Sequence, residues 1–190
     1  HQLHRRQRQM CIRDSNEFSR WDAGQMLLAK YIRSNVERVQ QGEEFELSIS
    51  VVDAFRGVLL SDSLEPAFIA EMLSLPSHNE VSGWYDRVDI DAVASVLNAM
   101  KVTLAKELED ELSAVYHSHA LTEYTIDHDS IGKRTLRKVC LSYLAHTEQG
   151  NDLVVTMYQQ ANNMTDTMAA MGAANSCLLY TSPSPRDLDL

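Results

Sequence analysis

The sequence predicts an all-α protein, an irregular solenoid of antiparallel helix pairs. Three observations carry that reading. From Asp89 to His119 the apolar residues Ile90, Val93, Leu97, Met100, Leu104, Leu108, Leu112 and Val115 recur at steps of three and four, which places them on one helix face. Gly42, Pro66, Pro76 and Gly150 stand where one apolar pattern stops or the next begins. The one stretch that reads as a strand, Ile49-Ser50-Val51-Val52, continues through Phe55, Val58 and Leu59 at helical spacing.

The elements follow in order. Asn16 or Ser19 caps a helix from about Arg20 to Gln41, with Trp21, Met26, Leu27, Tyr31, Ile32 and Val36 as its apolar positions and Gly42 as its stop. A linker, Gly42 to Leu47, carries three glutamates. Ser48 or Ser50 opens a second helix that runs to Leu60. A third, Leu64 to Leu75, has Pro66 in its first turn, where a missing N–H costs nothing. Ser77-His78-Asn79-Glu80 reads as a capping box for a short turn to Trp84. The long helix follows from an Asp89 cap, roughly 45 Å from end to end at 1.5 Å per residue. Its polar face holds Lys101, Lys106, Glu107, Glu109, Asp110 and Glu111, and no Gly or Pro interrupts it. Ala120 to Asp127 is an extended link. Asp129 or Ser130 starts a helix through Leu136, Val139, Cys140, Tyr143 and Leu144, stopped by Gly150. Asn151 or Asp152 begins another, and Asn162 to Asp166 breaks it and caps a last helix, Thr165 to Ala174. Helix pairs of uneven length with no repeat at a fixed period fit HEAT- or armadillo-like stacking better than a closed four-helix bundle.

A chain of 190 residues, 44% hydrophobic and 23% charged, allows one domain with a real core. No apolar run approaches the roughly 18–20 residues of a membrane span. A net charge of −10 argues against nucleic acid or anionic membrane as the main partner. Three widely spaced cysteines form neither a disulfide framework nor a zinc ribbon. The expectation is a cytoplasmic, acidic helical protein.

The two ends read differently from the middle. Met10-Cys11-Ile12-Arg13-Asp14-Ser15 can be encoded by ATG-TGT-ATA-AGA-GAC-AGN, and Cys177-Leu178-Leu179-Tyr180-Thr181-Ser182 by TGT-CTC-TTA-TAC-ACA-TCN. The string ATGTGTATAAGAGACA in the first is the reverse complement of TGTCTCTTATACACAT in the second. Extensions of the same transposon-end tag encode Arg5 to Gln9 and Pro183 to Asp187. Residues 1–15 and 176–190 are therefore read as translated sequencing-library adaptor, flanking a natural segment at 16–175. Removing Arg5, Arg6, Arg8, Arg13 and Arg186 leaves 12 of the 17 Lys and Arg, and removing Asp14, Asp187 and Asp189 leaves 24 of the 27 Asp and Glu. The segment then carries −12 and a single cysteine, Cys140, whose apolar surroundings make it a small core residue rather than a nucleophile.

Three constellations bear on chemistry. His117-Ser118-His119 with His128 and Asp129 are zinc-like ligand types, but residues two apart on a helix diverge, and histidines at a helix C-terminus also serve its carbonyls. Lys133, Arg134, Arg137 and Lys138 could grip a phosphate. In so acidic a segment, pairing with Glu109, Asp110, Asp127 or Asp129 is the stronger reading. Asn162-Asn163-Met164-Thr165-Asp166 could hold a ligand carboxylate or amide, yet Asn, Thr and Asp are also ordinary cap residues. No His is followed by Glu, so HExxH is absent, as are a glycine-rich phosphate loop, GxSxG and CxxC. No catalytic, cofactor-binding or metal residue is assigned.

Six motifs in order give a resemblance. Phe18-Ser19-Arg20-Trp21-Asp22-Ala23-Gly24-Gln25, Asp53-Ala54-Phe55-Arg56, and Leu73-Ser74-Leu75-Pro76-Ser77 with Asn79-Glu80 are followed by Leu104-Ala105-Lys106-Glu107-Leu108, Lys133-Arg134-Thr135-Leu136-Arg137 and Ala161 to Asp166. Together they resemble the bacterial aminopeptidase N family over essentially all of 16–175. The resemblance implies a zinc metallo-aminopeptidase parent, gluzincin and membrane alanyl aminopeptidase in type, that removes N-terminal residues from peptides. It implies that this segment begins the C-terminal helical domain arching over the active-site cavity. The zinc ligands and the GAMEN motif belong to a catalytic domain that this chain lacks, so that domain is the implied partner and the segment is itself non-catalytic. Two other classes compete. A free-standing helical-repeat scaffold for protein–protein interaction needs true chain termini at both ends. A small helical metalloenzyme using His117, His119 and His128 lacks both ligand geometry and a base.

Overall fold

The computed structural model describes residues 17–121 and 124–181, and among them are nine helices and no strand. The helices are α1 (Glu17–Gln40), α2 (Ile49–Leu59), α3 (Pro66–Leu73), α4 (His78–Ser82), α5 (Ile90–Glu107), α6 (Glu109–Ser118), α7 (His128–Leu144), α8 (Glu148–Gln160) and α9 (Met164–Thr181). The all-α reading holds. The chain divides into two compact units, His1–Glu46 with Leu75–Met100 and Leu47–Ser74 with Lys101–Leu190, the boundary falling within α5. Most of both adaptor-read tails, 1–15 and 182–190, lies outside the described residues, as does the Asn16 cap.

In the first unit α1 buries Ala23, Leu28, Ile32, Asn35 and Val36. Met26 and Leu27, expected on the buried stripe, are exposed, because the buried face of α1 runs through Ala23 and Leu28. Gly42 ends the helix at φ +81°, the left-handed conformation that glycine adopts without steric cost. The glutamate-rich link then folds back on α1. Arg38 pairs with Glu46 at 2.7 Å and Glu43 at 3.1 Å, and buried Asn35 accepts the Glu46 N–H at 3.2 Å. The Tyr31 hydroxyl donates to the Glu46 carbonyl. The Ser77–Glu80 capping box is complete, and Val81 of α4 is fully buried. Asp89 caps α5 by accepting the Ala92 N–H at 3.0 Å, and Val93, Val96, Leu97 and Met100 line its buried side. Ile90, placed on that stripe by its spacing, is exposed.

In the second unit α7 is the hub, packing on α3, α6, α8 and α9. Its Leu136, Cys140, Leu141 and Leu144 are inaccessible to solvent. Tyr143 donates from a buried hydroxyl to the Leu73 carbonyl at 2.6 Å, tying α7 to the end of α3. Gly132 permits the same approach from the other end, since a Cβ there would lie 3.1 Å from the Ala67 nitrogen. Two expected stops and starts move. The α7 cap is Asp127, which accepts the Ser130 N–H at 2.9 Å, and not Asp129 or Ser130. Gly150 does not stop α7; it lies inside the first turn of α8, which Thr147 caps.

The long helix expected over Asp89 to His119 is two helices. Leu108, at φ −122° and ψ 18°, leaves helical geometry between α5 and α6. Neither Gly nor Pro causes this. A side chain from α2 meets the chain at this break: Arg56 donates to the carbonyl of Glu107, the last residue of α5, at 3.3 Å. The last helix is also longer than expected, running on to Thr181.

Candidate functional site

The chemistry-bearing residues of the second unit gather where the link after α6, the first half of α7 and the start of α9 meet. Arg134 and Arg137 lie one turn apart on α7. Among the described residues neither has an acidic partner of the kind expected from composition. Arg134 is 7% exposed, its guanidinium stacked 4.6 Å from the centre of the Tyr124 ring. Arg137 lies 4.5 Å from the centre of the Tyr116 ring and donates from Nε to the Tyr116 carbonyl at 3.2 Å. Lys133 does follow the expected pattern, pairing with Asp129 at 2.6 Å across one turn. Asp127 serves as the α7 cap, and its carboxyl is held far below the usual range by the Thr125 hydroxyl and by the Ser130 N–H and hydroxyl.

At the start of α9, Asn163 is the cap. Its Oδ1 accepts the Asp166 N–H at 2.9 Å, its carbonyl accepts the Thr167 hydroxyl at 3.0 Å, and its Nδ2 donates to Asp166 Oδ2 at 2.8 Å and Asn162 Oδ1 at 3.0 Å. The capping reading of this motif is what the structure shows. The same residues have a second aspect, however. Asn162, Asn163 and Asp166 form one wall of a polar cleft whose other wall is Arg134 and Arg137, closed by Tyr124 and Leu121. Its volume of about 40 Å³ has room for a few water-sized groups. Arg134 Nη1 is buried there without a hydrogen-bond partner. Two constellations far apart in sequence thus meet in one place.

The histidines do not. His117 Nδ1 donates to the Ser113 carbonyl at 2.7 Å and His119 Nδ1 to the Val115 carbonyl at 2.9 Å, the plain helix-end role. His128 faces Glu65 at 3.3 Å. Among the described residues no three His, Cys, Asp or Glu side chains converge. His117, His119 and His128 are thus not gathered as a ligand set. Burial pushes the Cys140 thiol up to about 12, which leaves it protonated and inert, a core residue. No helix among the described residues is long and apolar enough to cross a membrane.

Four similarities place the chain among known proteins. A family model described as "Domain of unknown function (DUF3458_C) ARM repeats" matches residues 5–184. The chain is 50% identical over 161 residues to Aminopeptidase N of Escherichia coli (strain K12), covering 84% of this chain and 18% of that protein. It is 38% identical over 164 residues to Aminopeptidase N of Haemophilus influenzae, covering 86% and 19%. Among solved structures it is similar to Legionella pneumophila aminopeptidase A in complex with aspartic acid, with a TM-score of 0.72 at 23% identity over 88% of this chain and 21% of that one. The two aminopeptidase N matches mean that the chain spans less than a fifth of the length of those relatives. The solved structure, at 23% identity, speaks for the fold alone.

Proposed function

As the chain belongs to the family of ARM-repeat domains described as DUF3458_C, we propose that it is the helical cover of an aminopeptidase and does no chemistry of its own. The observation that carries this is the 50% identity over 161 residues to an aminopeptidase of which those residues are only 18%. The remaining polypeptide, with its catalytic domain, is then the partner. Zinc bound in that domain supplies the Lewis acid that polarises the scissile carbonyl of a peptide's N-terminal residue. The cover contributes geometry: stacked helices limit entry to short or flexible peptides and keep bulk water from the cavity. In the same proposal the parent is of the membrane alanyl aminopeptidase type, cytoplasmic, and engages neither nucleic acid nor membrane. Residues 1–15 and 176–190 are taken as adaptor translation around this segment.

The test is a replacement. Residues 16–175 of this chain are exchanged for the matching stretch of the Escherichia coli relative, beside a variant with that stretch deleted. The exchange is expected to keep hydrolysis of alanine p-nitroanilide within about tenfold of the parent, a barrier change of about 1.4 kcal/mol. The deletion is expected to lose it. A folded exchange without activity, or an undiminished deletion, overturns the proposal. So does chelator-sensitive hydrolysis by this chain alone.

A further inference from the structure

The cleft between α7 and α9 is built for a charge it does not supply. Arg134 is 7% exposed, its plane fixed against Tyr124, and its Nη1 is buried in the cleft wall with no acceptor. A guanidinium N–H withdrawn from water without an acceptor is costly, and native structures seldom leave one so. Arg137, held in place by the Tyr116 carbonyl and ring, adds a second cation to the same wall. The first turn of α9, an 18-residue helix, adds the partial positive charge of its N-terminus. Among the described residues that line the cleft the one carboxylate is Asp166, whose Oδ2 is already engaged by Asn163. In a chain of net charge −10, this spot is locally positive.

We propose that the cleft is a binding site for a single carboxylate group, received by the Arg134 and Arg137 guanidinium groups that line it. Size selects the ligand class. A cleft of about 40 Å³ has room for one small anionic group. Chemistry selects it as well, since the flat guanidinium fork matches the two oxygens of a carboxylate. The carboxylate can come from a free small acid or from an acidic side chain of a polypeptide. The Asn162 and Asn163 amides on the facing wall offer further hydrogen bonds to either.

The experiment titrates the full chain and follows the Arg134 side-chain Nε–Hε resonance by NMR. Sodium acetate is compared with sodium chloride at equal ionic strength, and N-acetyl-glutamate amide with N-acetyl-glutamine amide. A saturable shift with acetate or the glutamate amide, with a Kd on the order of 1–10 mM, and none with chloride or the glutamine amide, is the expected result. If the glutamate amide binds at least threefold tighter than acetate, the source is a polypeptide side chain; the reverse order indicates a free acid. Arg134→Gln is expected to abolish the shifts, read there at the Asp166 and Thr167 amides. Because that variant can lose its fold, Asp166→Asn is the second arm: Asn163 remains the cap, and removing the competing charge should tighten binding severalfold. Absence of any saturable shift, equal shifts with chloride, or weaker binding in a folded Asp166→Asn overturns the proposal.

Discussion

Arg56 and Glu111 are joined by a hydrogen-bonded ion pair of 2.8 Å that spans the break between α5 and α6. The same guanidinium pairs with Asp53 at 2.9 Å and reaches the Glu107 carbonyl. Glu111 is held below its ordinary pKa, chiefly by the hydrogen bond from Arg56. One α2 side chain thus satisfies both the last carbonyl of α5 and an acid in the first turn of α6.

Replacing Arg56 with Met keeps the stem and removes the donors. The site is about one-third exposed, so solvent screening keeps the expected loss small. A double-mutant cycle with Glu111→Gln, read by urea denaturation, should show coupling well above experimental error. A coupling near zero would mean that the pair, though formed, adds nothing to stability.

Leu104 is wholly buried, whereas Lys106, two residues on, is exposed. Leu104→Ala should cost about 2–5 kcal/mol through lost burial and the cavity left behind. Lys106→Ala should stay within about 0.5 kcal/mol. Equal midpoints for the two variants would remove α5 from the core.

How much of this was legible follows from how local each cause is. The Ser77–Glu80 box, the Asp89 cap, Pro66 at the first position of α3 and the Leu104–Leu108–Leu112 stripe were readable because the residues that decide them lie within a turn or two. The break at Leu108 was not, because no Gly or Pro marks it and the Arg56 contact beside it comes from 51 residues before Glu107. Arg134 and Arg137 were expected to seek carboxylates. They lie against Tyr124 and Tyr116 instead, and only the folded chain brings those rings to α7. The polar cleft was missed for the same reason, since its two walls were each read as a local motif. The one signal available was a pair of arginines a turn apart, without enough acids on their own helix to match them.

Gly150 and Gly57 give opposite expectations for the same substitution. A Cβ on Gly150 would lie 1.6 Å from the Leu144 carbonyl oxygen and 2.2 Å from its carbon, so backbone must move. Gly150→Ala should cost about 3 kcal/mol or more. Gly57, in α2, has nothing within 4 Å of that position. Gly57→Ala should stabilise by about 0.4–1 kcal/mol through helix propensity and a less flexible unfolded chain. Thermal unfolding of the two variants gives the comparison directly, and a tolerated Gly150→Ala would show that α7 and α8 are not so close.

Acid should destabilise the second unit in two separable steps. His146 is half-buried, and its pKa is lowered first by burial and then by the nearby Lys101 charge. Its folded value lies below its unfolded value of about 6.5, so the unfolded chain takes up the proton first as pH falls. The stability this group contributes is fully present above about pH 6.5 and is lost as pH drops through the lower folded value. His146→Gln should flatten the stability profile just below pH 6.5 and leave more acid pH unaffected. Asp127 acts in a lower window. Its folded pKa is depressed by Thr125 and then Ser130, so its contribution is complete above about pH 3.9 and lost on further acidification. Asp127→Asn keeps a competent helix cap and should remove that acid limb, whereas Asp127→Ala should lower stability at neutral pH as well. Urea midpoints for the three variants at a series of pH values from 7 to 3 separate the two groups. Parallel profiles for His146→Gln and the unsubstituted chain would remove His146 as the source of the upper step.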